Sequence, residues 1–78
     1  MKTFTFRGRR LALVEQHIEF DVKAKEHVEA MRIAEVAMYE WPEITDNNIC
    51  NALVVQEAVV DVPEIDRVAS VRRKTTKD

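Results

Sequence analysis

The side chains most often recruited for metal binding or nucleophilic attack are scarce in this chain of 78 residues: His17, His27, Cys50 and Ser70. His17 and Glu19 share one face of an alternating segment, and His27 follows at the start of a helical pattern. Together they offer at most a weak adventitious metal site. Structural zinc wants four closely spaced thiolates or imidazoles. Two histidines and one cysteine do not supply them, so no metal is expected and Cys50 reads as a small hydrophobe. Ser70 has no histidine near it in sequence, and nothing marks it as a nucleophile. The carboxylate pairs Glu19 with Asp21 and Glu26 with Glu29 would need burial or a charged neighbour to do acid–base work. Both pairs fall on expected solvent faces. A phosphate-cradling loop needs several glycines, and Gly8 is the only one. The expectation is a protein that is not an enzyme, with no catalytic residue and no cofactor.

Charge is the feature with a direction. The net −2 hides three blocks: +4 over residues 1–14, −10 over 15–66 from thirteen acids against three bases, and +4 over 67–78. An acidic body disfavours phosphate backbones and favours basic protein surfaces. The expected partner contacts are therefore Glu15, Glu19, Asp21, Glu26, Glu29, Glu35 and Glu40, with Tyr39 as an exposed aromatic anchor among them. The alternative uses the basic ends. Arg7, Arg9, Arg10, Arg72, Arg73 and Lys74 could meet phosphates if the two ends of the chain lie together. Met31, Met38 and Trp41 could form an adaptable surface, but their helical spacing makes them core first.

These residues need elements to position them. Phe4 and Phe6 alternate with threonine and arginine, which predicts a strand over 2–7 with the aromatic rings inward. Gly8, before Arg9 and Arg10, reads as a turn. Ile18, Phe20, Val22 and Ala24 alternate with Glu19, Asp21 and Lys23, the clearest strand pattern in the chain. Between them Leu11 to Val14 loses alternation, which allows either an early separate strand or one long bulged strand. From Lys25 the period becomes that of a helix. Val28, Met31, Ala34 or Glu35, Met38 and Trp41 form its apolar stripe, Ala30, Ile33 and Ala37 widen it, and Pro42 stops it, giving a helix over 25–41. Residues 43–48 read as a loop with Thr45 or Asp46 capping a short turn. The valine-rich stretch 52–62 predicts a central strand, closed by Pro63. Ile65, Val68 and Val71 fit a short helix or an edge strand equally, and 72–78 reads as a frayed basic tail.

The order strand, strand, helix, strand predicts an α+β fold: a small antiparallel sheet of three to four strands with the main helix on one face, one domain over 1–78. An apolar share of 46% beside 33% charged residues fits a folded globular chain rather than a disordered one. The longest aliphatic runs are four residues, far below the roughly 20 of a membrane span, and no secretory signal is visible. The expected address is the cytoplasm. Free sheet edges invite pairing across a two-fold axis, so monomer and homodimer stay open.

From Ile18 to Ala34 an alternating strand runs into a helix with alanines near its inner face. That phrase resembles one found in very small phage and mobile-element proteins. In size, architecture and charge the chain is similar to the small anti-CRISPR proteins. The resemblance implies a phage-encoded stoichiometric inhibitor acting in the host cytoplasm. It would bind a subunit of a bacterial CRISPR effector and keep target DNA, or a recruited nuclease, from docking. It carries no residue over by position, because that group shares no motif.

Overall fold

A computed structural model describes residues 1–11, 14–59 and 68–74. Its elements are β1 (Lys2–Leu11), β2 (Val14–Ala24), α1 (His27–Glu40), β3 (Ile49–Val59) and β4 (Val68–Arg73). The four strands form one antiparallel sheet in the order β3-β2-β1-β4, so the fold is α+β.

Strict alternation builds the centre of this sheet. Phe4, Phe6 and Gly8 of β1 and Ile18, Phe20, Val22 and Ala24 of β2 are buried on one face, while the residues between them point to the other. Across the register Phe6 stands opposite Phe20, their ring centroids 6.0 Å apart. α1 lies on this apolar face over β1, β2 and β4. Its buried stripe is Ala30, Ala34, Ala37 and Met38, a helical spacing made mostly of the smallest side chain that still favours a helix. Met31, Ile33 and Trp41 pack partly against the same core. Val28, expected in the stripe, is 66% exposed, because the stripe centres on the alanines and rotates the first turn outward. The helix stops at Glu40. The Trp41 amide still donates to Ala37 O at 2.9 Å, and Pro42 follows through a cis peptide bond.

Several expectations change. Gly8 is not a turn: β1 continues through it to Leu11, and its φ is not positive. A Cβ at Gly8 would overlap Met38 Sδ and stand 2.6 Å from its Cε and 2.8 Å from its Cγ. The glycine is thus the socket for a buried methionine, a requirement set by helix-on-sheet packing rather than by local backbone. β2 runs unbroken from Val14 to Ala24, so no early strand ends at 15–17, while Leu11 belongs to β1; the connection at 12–13 lies outside the described residues. β3 begins at Ile49, earlier than expected, and lies at the edge of the sheet rather than in its centre. Its register with β2 shifts twice. At one shift Asn51 takes φ 56°, a left-handed conformation that asparagine tolerates better than most side chains. Asp46 does organise the turn before β3, its Oδ1 accepting from the Asn48 amide at 2.8 Å. The strand alternative holds for 68–73, and Arg72 and Arg73 belong to it rather than to a frayed tail. Expectations for 60–67, including the stop at Pro63, and for 75–78 fall outside the described residues.

Candidate functional site

The uncovered face of the sheet gathers charges from three strands. Pairing of β1 with β4 sets Arg7 opposite Arg72 and Arg9 opposite Ser70, while pairing with β2 sets Arg7 opposite Glu19 and Arg9 opposite His17. The result is an interlocked network. Arg9 Nε donates to Glu15 Oε1 at 3.1 Å, and His17 Nε2 lies 2.9 Å from the same oxygen. Glu19 takes Lys74 Nζ at 2.7 Å and faces Arg7 Nη1 at 3.8 Å. Thr5 Oγ1 donates to Asp21 Oδ1 at 2.8 Å, and Asn51 Nδ2 donates to Asp21 Oδ2 at 2.9 Å. The hydrogen bond from His17, and then that from Arg9, hold the Glu15 carboxyl below its ordinary value of 4.5. At this exposure water and salt screen each pair, so the network orders the face more than it stabilises the fold.

The expected acidic contacts therefore divide. Glu15, Glu19 and Asp21 stand on the open face with partners already in place. The helix acids stand on the opposite side of the sheet, so the two groups do not form one surface. Glu26 precedes α1, and Glu29, Glu35 and Glu40 project from it; none of the four makes an ion pair among the described residues. Arg32 is the only arginine or lysine within α1, and the last turn holds none. Glu40 thus sits where the helix macrodipole disfavours an anion. Tyr39 is 71% exposed, as its place one residue off the apolar stripe implied. Glu35 and Tyr39 form one wall of a shallow cleft. Ala69, Ser70 and Val71 of β4 form the other, with Met38 at its base.

The basic residues of the alternative also divide. β1 and β4 are neighbours, so the two basic ends do lie together. Arg7, Arg9, Arg72 and Lys74 share the open face, but three of them are engaged by Glu15 or Glu19 and only Arg72 has no acid within ion-pair distance among the described residues. Arg10 is 7% exposed and faces the helix side, in phase with Phe4 and Phe6, so it does not present itself to phosphate. Arg73 pairs with Phe6, and its guanidinium lies 5.2 Å from the Phe4 ring centroid. His17 and His27 are separated by the sheet: His27 stacks against Phe6 and meets Phe4 edge-on, so the two imidazoles do not share a metal.

Sequence reasoning missed the β4 wall of the cleft and the exposure of β3. The three-residue spacing of Ile65, Val68 and Val71 fitted helix and strand alike, and nothing local says which strand of a sheet lies at its edge. No helix among the described residues is long and apolar enough to cross a membrane. The fold and these surfaces define a small α+β domain with, among the described residues, a single covering helix. Compared with known proteins, the chain matches no family model, no curated protein and no solved structure.

Proposed function

We propose that this chain is a non-enzymatic protein-binding module whose contact surface is the solvent face of α1 with the cleft beside β4. One observation carries the proposal: Glu29, Glu35 and Glu40 are exposed along α1 without ion pairs among the described residues, Glu35 and Glu40 flanking an exposed tyrosine, whereas the strand acids are already engaged. A partner lysine or arginine entering the cleft would meet the Glu35 carboxylate. Its aliphatic stem would lie along Ala69 and Val71, and the Tyr39 ring could receive the cation. The partner so described is a protein with a basic, nucleic-acid-binding surface, which the module would occlude by stoichiometric binding in the cytoplasm. A bacterial CRISPR effector subunit met by a phage-encoded inhibitor is the particular case to which the strand-to-helix resemblance leads.

The test is binding to purified effector complexes in competition with target DNA. The variant Glu29→Lys/Glu35→Lys/Glu40→Lys should weaken binding by at least tenfold with its melting temperature unchanged, since exposed substitutions usually stay within about 0.5 kcal/mol. Tyr39→Ala should weaken it further. Undiminished binding by the triple variant would end the proposal. The adjacency of β1 and β4 favours one second reading, phosphate binding by Arg7, Arg9, Arg72 and Lys74. Its mark would be nucleic-acid affinity that falls steeply with salt.

A further inference from the structure

The two edges of the sheet are built differently. β4 is six residues long and ends in Arg72-Arg73, the short and charged kind of edge that natural sheets use to discourage further pairing. β3 is neither short nor basic, and its guards are two register shifts and a single acid. It runs eleven residues, about 37 Å at ~3.4 Å per residue, without a lysine, arginine or proline. α1 covers β1, β2 and β4 and makes no contact with β3. Leu53, Val54, Val55 and Val59 are all exposed, Leu53 at 54% and Val59 at 85%.

We propose that β3 is the interface for a second copy of this chain, pairing antiparallel with its own counterpart across a two-fold axis near Leu53–Val55 and joining the two sheets into one of eight strands. Self-pairing suits this strand for three reasons. An antiparallel two-fold lays the apolar centre of β3 on the same residues of the second copy, apolar on apolar. Its one charged residue is Glu57, held to Gln16 by a 3.3 Å hydrogen bond. Three residues from the axis, the two copies of Glu57 would lie about 20 Å apart along the strands, well past a screening length of about 8 Å. The strand also has surface to give: nine of its eleven residues are exposed, toward the roughly 800 Å² that a standard interface takes from each partner.

The two register shifts limit the outcome to a closed pair. They fall on either side of Leu53 and Val54, so the free edge is flat only over its centre. Once both copies have used β3, the edges that remain are the arginine-bearing β4 strands, and growth stops at two.

Sedimentation equilibrium on the full chain from 5 to 500 µM should show a species of 18.2 kDa, twice 9.1 kDa, at the upper end. Leu53→Lys, at an exposed position, should return it to 9.1 kDa with the far-ultraviolet circular dichroism unchanged. Should that variant fail to fold, amide exchange on the wild-type protein replaces it: the amides of Ala52–Val55 should gain at least tenfold protection between 10 and 500 µM. A mass of 9.1 kDa at every concentration overturns the proposal. So does a dimer that Leu53→Lys leaves intact, mass that climbs beyond two copies, or pairing of β3 only with an added extended peptide.

Discussion

Gly8→Ala tests the central packing relation of this fold. The added methyl would overlap Met38 Sδ, and Met38 is buried between α1 and the sheet, so the methionine side chain must shift within its packed surroundings. Overpacking of this kind costs about 1–3 kcal/mol. Alanine in place of glycine within a strand returns about 0.5–1 kcal/mol through the lower entropy of the unfolded chain. A net loss of about 1–2 kcal/mol is expected, and at about 4–8 °C per kcal/mol in a domain of this size the melting temperature should fall by about 5–15 °C. Met38→Ala alone should cost about 2–5 kcal/mol through the cavity it leaves. In the double variant the methyl added in place of the Gly8 hydrogen occupies part of that cavity, so the two losses should fall short of their sum by at least about 1 kcal/mol. Urea unfolding at one fixed protein concentration, followed by the fluorescence of the single tryptophan Trp41, measures all four corners of the cycle. Strictly additive losses, or a Gly8→Ala protein as stable as wild type, would refute the socket. A glycine needed for a turn would also resist replacement, but Met38→Ala could not relieve it.

His27 Nε2 is buried with no hydrogen-bond partner among the described residues, while its ring lies against Phe4 and Phe6. His27→Phe keeps the ring contacts and removes the orphan nitrogen, so stability should rise by about 1 kcal/mol in urea unfolding; a loss would contradict this placement. Asn51→Gly should cost only the side-chain bond to Asp21, about 1 kcal/mol, whereas Asn51→Ala adds about 1–2 kcal/mol for a left-handed residue with a Cβ. Equal urea midpoints for the two would remove the strain from the account. The Glu15 carboxyl should titrate below 4.5 by NMR, and its contribution to stability, fully present above that pH, should fade as pH drops through the lowered value. Replacing His17 by leucine should raise the midpoint more than replacing Arg9 by glutamine; the reverse order would reassign the cause.

Local patterns made the two central strands and the helix legible, because burial on one face leaves a period of two or of 3.6 in the sequence. Phe4 and Phe6, Ile18 to Ala24, and the stop at Pro42 are read this way. Tyr39 was legible for the same reason, being one residue off the apolar stripe. What failed depended on tertiary partners. Gly8 carries no mark separating a turn from a socket until Met38 is placed above it. Arg10 shares the parity of Phe4 and Phe6, so its inward position was visible in principle, but its charge argued the other way. The strand acids looked free because their partners come from β1 and from Lys74, which only the register reveals. β3 looked central because valines on both faces usually mean burial on both faces, and here they stand exposed on an edge strand.

The pairing of the first strand with the last has a consequence for how the chain reaches this structure. Phe6 lies opposite Arg73, so β1 acquires one of its two neighbours only after a residue 67 positions further along has been made. During synthesis β1, β2 and α1 are available first, and β1 meanwhile presents an open flank beside Phe4 and Phe6. Contacts so distant in sequence are slow to form, because closing the long intervening loop precedes any reward from the contact. Docking of β4 should therefore be the late step. A ribosome stalled before Val68 would hold a sheet whose middle strand is still an edge, the form of this protein most exposed to mispairing.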